Sequence, residues 1–383
     1  MPIPAEGWFI YAARPEERGR PAQLVREAYE LEDLRPDEVL LEPLYASWEA
    51  NIDHAIARDP VDTCALRKCD KAIVGNAGVA RVLTTGAEAR DLAPGRAVLP
   101  YGIDADAFGY PERIMGYDSR LSGLLTTRLK LKRDAVVPLP ERSRFPLRRW
   151  AAFHNRYITA WANWRVAYGA FRLLLSEEEL PRLNVWSWGG GTGFAEVELA
   201  AVLGHRGTAL SSRPERLAFI RSHGVEAVDR TPFKDLQYDE ERYKEDRAYR
   251  ERYKAAEEAF LETVRELTGG AGVQIFVDTI GAPVFRATAK ALGRHGVLTT
   301  VGWKGGMRIA YLRAVECIAR HQFVHTHFAR PSEARDAVAF AEERGWLPET
   351  DERVYSFDEV PELAARYSAG DFRMYPVCSI NPE

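Results

Sequence analysis

Residues 184–200 read NVWSWGGGTGFAEVELA. An apolar run leads into glycines, and an amphipathic helical pattern follows, which predicts strand, tight turn and helix. A helix starting there offers backbone N–H groups to an anion. Gly189, Gly190, Gly191, Thr192 and Gly193 are therefore candidates to hold a phosphate chain. A dinucleotide pyrophosphate and S-adenosylmethionine both suit such a loop, and the loop alone does not choose between them. In the dinucleotide fingerprint G-x-G-x-x-G, the last glycine lets the helix pack close on the strand. Gly189 and Gly191 fill the first two places, but Phe194 stands at the third, with Gly193 one residue earlier as a partial substitute.

The end of the following strand is more selective. Enzymes that grip a free ribose diol place Asp or Glu there. This chain has Ser211, Ser212 and Arg213. Hydroxyls and a guanidinium suit a 2′-phosphate, which a carboxylate would repel. The expected cofactor is NADPH, ahead of NADH and S-adenosylmethionine. The plainer reading of Arg213 is a surface residue at a helix start before Pro214.

The rest of the composition narrows the function class. Net charge is −4, which gives no reason to expect nucleic acid or an anionic membrane surface as partner. No apolar run reaches membrane-spanning length. The first residues lack the basic-then-apolar layout of a secretory signal, so a cytoplasmic location is expected. Cys64, Cys69, Cys317 and Cys378 are too few and scattered for a disulfide scaffold. Cys64 and Cys69 have a spacing that suits zinc but lack two further ligands nearby, so free thiols are expected.

With 383 residues the chain is long enough for two domains. To about Pro140 it consists of short strand-like runs broken by Gly and Pro, such as EVLLEPLYASW and AGVARVLTTG. From Arg148, WAAFHNRYITAWANWRVAYGAFRLLL carries apolar residues at helical spacing. Strands and helices then alternate: NVWSW, AEVELAAVLG, GTALSS, PERLAFIRSHG, EAVD and, after an interruption, VQIFVDTIG, VFRATAKALGRHG and VLTTVGW. That alternation predicts a doubly wound parallel sheet. The interruption, starting near residue 231, mixes charges of both signs densely. It reads as a solvated helical excursion held by i,i+4 ion pairs, with a ligand cap or subunit contact as the functional alternative. The closing FRMYPVCSI reads as a strand returning to the first domain.

The segment ELTGGAGVQIFVDTIGAPVFRATAKALGRHGVLTTVGW resembles the second half of the cofactor domain in medium-chain dehydrogenases/reductases. GNAGVARVLTTGAEARDLAPGRAVLP is similar to that superfamily's GroES-like domain. Within it, RIMGYDSRLSGLLTTRLKLKRDAVVPLP, the charged insert ending in RELTGG, and FVHTHFARPSEA look most like crotonyl-CoA carboxylase/reductases. The resemblance implies an α/β chain: a GroES-like β-rich catalytic domain over 1–150 and 325–383, and a Rossmann cofactor domain over 151–324 with its insert at about 231–265. It also implies a homodimer or homotetramer.

Zinc-dependent members carry Gly-His-Glu where this chain reads Gly75, Asn76, Ala77, and the cysteine expected near WEANIDH is absent. No catalytic zinc is expected. Zinc-free relatives reduce a C=C bond conjugated to a carbonyl, and carboxylating ones trap the enolate with CO2. Matched by local motif, the family's Asn falls on Asn51, its His on His327 and its Phe-Glu pair on Tyr117 and Asp118. Tyr117 adds a hydroxyl able to protonate the enolate, and Asp118 is one methylene short of the family's Glu, so simple reduction gains over carboxylation. Thr159 and Gly302 are expected to line the nicotinamide pocket. Each acyl-side residue has a plainer role: Asn51 as cap of a helix starting at Ile52, Asp118 in a turn, Tyr117 and His327 in the core, with His325 competing for the histidine's place.

The expected activity is NADPH-dependent reduction of an α,β-unsaturated acyl thioester carried by coenzyme A or a carrier protein. The rivals are a free enone or quinone substrate, or a non-redox enzyme or binding protein whose dinucleotide site has decayed around Phe194.

Overall fold

The structure is a computed structural model. It describes residues 2–383 except 18, 60–61, 117–120, 174, 301, 303–304, 306–307, 311–312, 327–328 and 373. The chain divides into two compact units, residues 1–158 with 328–383, and residues 159–327.

The first unit is built on β-sheets. Val25–Leu31, Ile3–Tyr11 and Lys71–Ile73 form one antiparallel sheet. A second runs Val136–Pro138, Ala97–Pro100, Gly78–Thr85, Glu38–Ser47, Tyr375–Ser379, Thr350–Tyr355, with Leu129–Lys132 also pairing with Glu38–Ser47. The chain's end returns as predicted: Tyr375–Ser379 lies antiparallel to Glu38–Ser47, with Val377 opposite Ser47. Val39, Leu41, Trp48, Val82, Val98 and Leu129 form the core between the layers.

The second unit has six parallel strands. In space they run Glu226–Asp229, Arg206–Ser211, Asn184–Ser187, Val273–Asp278, Leu292–Thr300, Gln322–His325. Numbered within this sheet in chain order, that is 3-2-1-4-5-6, the doubly wound order. It places the topological switch point between Asn184–Ser187 and Val273–Asp278, where such sheets bind ligands beyond the strands' carboxyl ends.

The charged interruption differs from its sequence reading. Arg247–Thr268 is one helix that buries Tyr249, Tyr253, Ala256, Phe260 and Val264. Those positions follow the 3.6-residue period, so one stripe faces the sheet while charge covers the rest. Phe260 stacks on Trp188 with ring centroids 5.0 Å apart, in a cluster with Trp186 and Phe276. Each such ring contributes about 1.5–3 kcal/mol through burial, several times an exposed i,i+4 ion pair at roughly 0.2–0.5 kcal/mol. The helix is a core layer of the unit, not a solvated excursion.

Among the described residues no helix is long and apolar enough to cross a membrane.

Candidate nucleotide and acyl sites

The glycine loop has the geometry that its sequence requires. Gly189 and Gly190 have φ of 85° and 86°, the left-handed region open to glycine. A Cβ on Gly189 would stand 2.5 Å from the Leu210 carbonyl oxygen, so only glycine lets the loop cross the neighbouring strand's end. Helix Gly191–Val202 starts directly after, with no side-chain cap at Gly190. A Cβ on Gly193 would lie 3.2 Å from Ser187 Cβ. Gly193 thus does the close-packing work of the fingerprint's last glycine. Sequence reading passed over Gly207, where a Cβ would come 2.4 Å from Val197 O, letting the same helix approach the second strand.

Phe194 does not occupy this crevice. Its ring is 1% exposed and packs 5.2 Å from Phe219 of helix Pro214–Ser222, with the Arg216 guanidinium 4.9 Å above it. The crevice beyond the strand ends is bounded by Gly190 and Gly193 on one side and Thr279 on the other, within 3.5–3.7 Å of the added Cβ positions. The loop therefore fits a dinucleotide pyrophosphate: a cradle that a Cβ would fill, at the switch point, over a helix N-terminus.

At the end of the second strand, Arg213 precedes helix Pro214–Ser222, and its N–H donates to Ser211 Oγ at 3.3 Å. Ser212 and Arg213 are exposed and Ser211 is half-buried. A second arginine comes with them: the Arg230 N–H donates to Ser211 O at 3.0 Å. Sequence reading missed it because the link depends on strand pairing, which sets Ser211 opposite Asp229.

Behind the loop lies a buried polar chain. Thr299 Oγ1 donates to Asn163 Oδ1 at 2.5 Å, and Asn163 Nδ2 donates to Glu196 Oε2 at 2.6 Å. All three are fully buried, and Glu196 Oε1 has no partner among the described residues. Burial pushes the Glu196 carboxyl up to about 8, only partly offset by the Asn163 amide. The chain ties together helix Gly191–Val202, helix Leu147–Arg172 and strand Leu292–Thr300. Thr159 sits one turn before Asn163, and Gly302 follows that strand with φ of 113°. Asp278, also buried, accepts the N–H groups of Ile280 and Gly281, and burial raises it to about 6.

In the first unit, Asn51 is half-buried in helix Ala50–Ala57, whose N-cap is Glu49. Asn51 is therefore not a cap for a helix starting at Ile52. Glu49 makes no capping bond either. Its carboxylate accepts Asn155 Nδ2 at 2.9 Å and pairs with Arg156 at 3.3 Å. Arg156 also donates to Ser47 Oγ and to Trp48 O. This buried anchor fixes the helix start that carries Asn51. Tyr117, Asp118 and His327 lie outside the described residues. Gly116 is described: a Cβ there would meet Gly75 O at 2.7 Å, so the chain at residue 116 crosses beside Gly75. His325 Nδ1 lies 2.5 Å from Thr300 Oγ1.

The profile of the zinc-binding dehydrogenase family matches residues 191–343. The residues present do not fit zinc. Asn76 and Ala77 offer a carboxamide and a methyl where the zinc-dependent pattern has an imidazole and a carboxylate, and among the described residues no group of three or more His, Cys, Asp or Glu is placed to hold a metal ion. The chain is 24% identical to crotonyl-CoA reductase of Streptomyces collinus over 307 residues, 76% of this chain and 64% of that protein. It thus spans just under two thirds of the curated relatives that it matches. Among solved structures, crotonyl-CoA carboxylase/reductase AntE in complex with NADP superposes with a TM-score of 0.79 at 21% identity, covering 98% of this chain and 94% of the other. The 2-octenoyl-CoA carboxylase reductase CinF, in complex with NADP and 2-octenoyl-CoA, gives 0.79 at 18% identity over 99% and 88%. These likenesses carry the fold.

Proposed function

We propose that the chain is a member of the medium-chain dehydrogenase/reductase superfamily and an NADPH-dependent reductase of an α,β-unsaturated acyl thioester. The observation that carries this reading is the glycine loop at the switch point. Gly189 lies where a Cβ would meet Leu210 O at 2.5 Å, and Arg213 stands at the end of the second strand. The curated crotonyl-CoA reductase and the NADP-bound structures support it as relatives.

When bound, NADPH supplies a hydride to the thioester's β-carbon, and the C=C electron pair moves toward the carbonyl as an enolate. In this reading, the first turn of helix Gly191–Val202, with Gly189 to Gly193, holds the pyrophosphate. Ser211, Ser212 and Arg213 take the 2′-phosphate. Thr159 and Gly302 orient the nicotinamide. Asn51, Tyr117, Asp118 and His327 surround the acyl group, and Tyr117 protonates the α-carbon. A coenzyme A or carrier-protein thioester, a homo-oligomer and a cytoplasmic setting belong to the same reading.

The test is crotonyl-CoA with NADPH, with and without bicarbonate, followed by product mass. Butyryl-CoA under both conditions is the expected result, and ethylmalonyl-CoA with bicarbonate assigns carboxylation. No NADPH oxidation with any enoyl thioester, but turnover of a free enone, would move the substrate class.

A further inference from the structure

Within the first unit, Asn76, Tyr101, Gly102, Met115, His154 and Asn155 line a small cavity of about 20 Å³. That volume holds one water or one carbonyl oxygen, not a chain. Asn76 is 4% exposed, and neither of its amide atoms has a partner among the described residues. Burying an unpartnered amide costs about 1–3 kcal/mol, so its retention calls for a ligand. His154 is no competing donor. Its Nε2–H donates to Pro100 O at 2.5 Å, leaving Nδ1 as an acceptor. Burial keeps the ring neutral, pushed down to about 4. Asn155 donates to Glu49, and Arg113, which also lines the cavity, pairs with Asp104. The Tyr101 hydroxyl accepts the Ala329 N–H at 3.1 Å and keeps its own proton to donate.

We propose that Asn76 and Tyr101 are the donor pair that binds the thioester carbonyl oxygen as charge develops on it. This rests on the enoyl-thioester reading. Two neutral donors of this kind polarise a carbonyl without a metal. As hydride reaches the β-carbon, the C=C pair shifts onto the carbonyl oxygen. The Asn76 Nδ2–H and Tyr101 O–H bonds to that oxygen strengthen, with no proton transferred. A donor of this kind acts mainly on kcat.

The test uses Asn76→Leu and Tyr101→Phe in the full-length protein. Steady-state kinetics with crotonyl-CoA are measured, together with NADPH binding by fluorescence, thermal unfolding, and butyryl-CoA binding by calorimetry. Expected for Asn76→Leu is a kcat loss of roughly 100-fold, with NADPH affinity within about twofold and thermal stability equal or higher. Tyr101→Phe loses roughly 10-fold or more in kcat. Two variants with wild-type kcat and wild-type butyryl-CoA affinity overturn the assignment while leaving the reductase reading intact. An Asn76→Leu protein that melts lower and loses NADPH makes the residue structural and also overturns it. Wild-type protein that binds NADPH but neither thioester overturns the substrate reading and this assignment together.

Discussion

Glu196→Gln separates the charge of a buried acid from its shape. Glu196 is fully buried, accepts one hydrogen bond among the described residues, from Asn163, and has its carboxyl raised from 4.5 to about 8. A carboxyl raised in the folded state contributes stability that is whole below its unfolded value. That stability is lost as pH climbs from about 4.5 through about 8, because the unfolded chain gives up its proton first. At about 1.4 kcal/mol per pH unit, the full span is about 5 kcal/mol, an upper bound because the core relaxes and admits water around a buried charge. Glutamine keeps the acceptor for Asn163 and cannot ionise. Wild type and Glu196→Gln are therefore expected to melt together near pH 5. They separate steadily between about pH 5 and 8, above which the gap levels off, the variant ending higher by on the order of 10 °C or somewhat less. Differential scanning fluorimetry across that range reads the gap directly. A gap that stays flat from pH 5 to 9 would refute the assignment of a neutral, buried acid. A variant already far less stable at pH 5 would mean that the acid's hydroxyl has a partner that glutamine cannot serve.

Further consequences follow from the same geometry. Arg213→Ala should weaken NADPH by roughly 10–100-fold and leave NADH within about twofold, read by nicotinamide fluorescence. Equal losses for both nucleotides would take the 2′-phosphate away from this arginine. Gly189→Ala brings a Cβ to 2.5 Å from Leu210 O at a φ of 85°, so NADPH affinity should fall at least ~10-fold with a lowered melting temperature. Retained affinity would mean that the loop does not carry the pyrophosphate. Phe260→Ala should cost about 3–5 kcal/mol in urea unfolding, because the ring fills the space beside Trp188 and Trp186. A loss under 0.5 kcal/mol, typical of a surface position, would return the charged helix to a solvated role.

What was legible in the sequence is what local chemistry dictates. Gly189 and Gly190 must be glycine because of their own backbone conformation, so the turn was readable without its neighbours. Alternating strands and helices gave the parallel sheet, because each element's period is local. The insert misled because its dense charge hid a buried stripe at Tyr249, Tyr253, Ala256, Phe260 and Val264, although the spacing was there to see. Asn163, Glu196 and Thr299 were illegible for another reason. They meet across separations of 33 and 136 residues, which no local pattern encodes. Asn76 was noticed only as a missing zinc ligand, and its buried, unpartnered amide needed the folded first unit to appear. The Glu49 anchor beneath Asn51 likewise depends on Asn155 and Arg156, more than a hundred residues away in sequence.

Every role above depends on a phosphorylated nicotinamide nucleotide at the switch point of the parallel sheet. Titrating the purified protein with NADPH and, separately, NADH while following nicotinamide fluorescence tests it most directly. Saturable NADPH binding in the micromolar range is expected, with NADH at least ~10-fold weaker, the difference carried by the guanidinium at the second strand's end. An unchanged signal up to near-millimolar NADPH would contradict it, and with it every role assigned to the glycine loop.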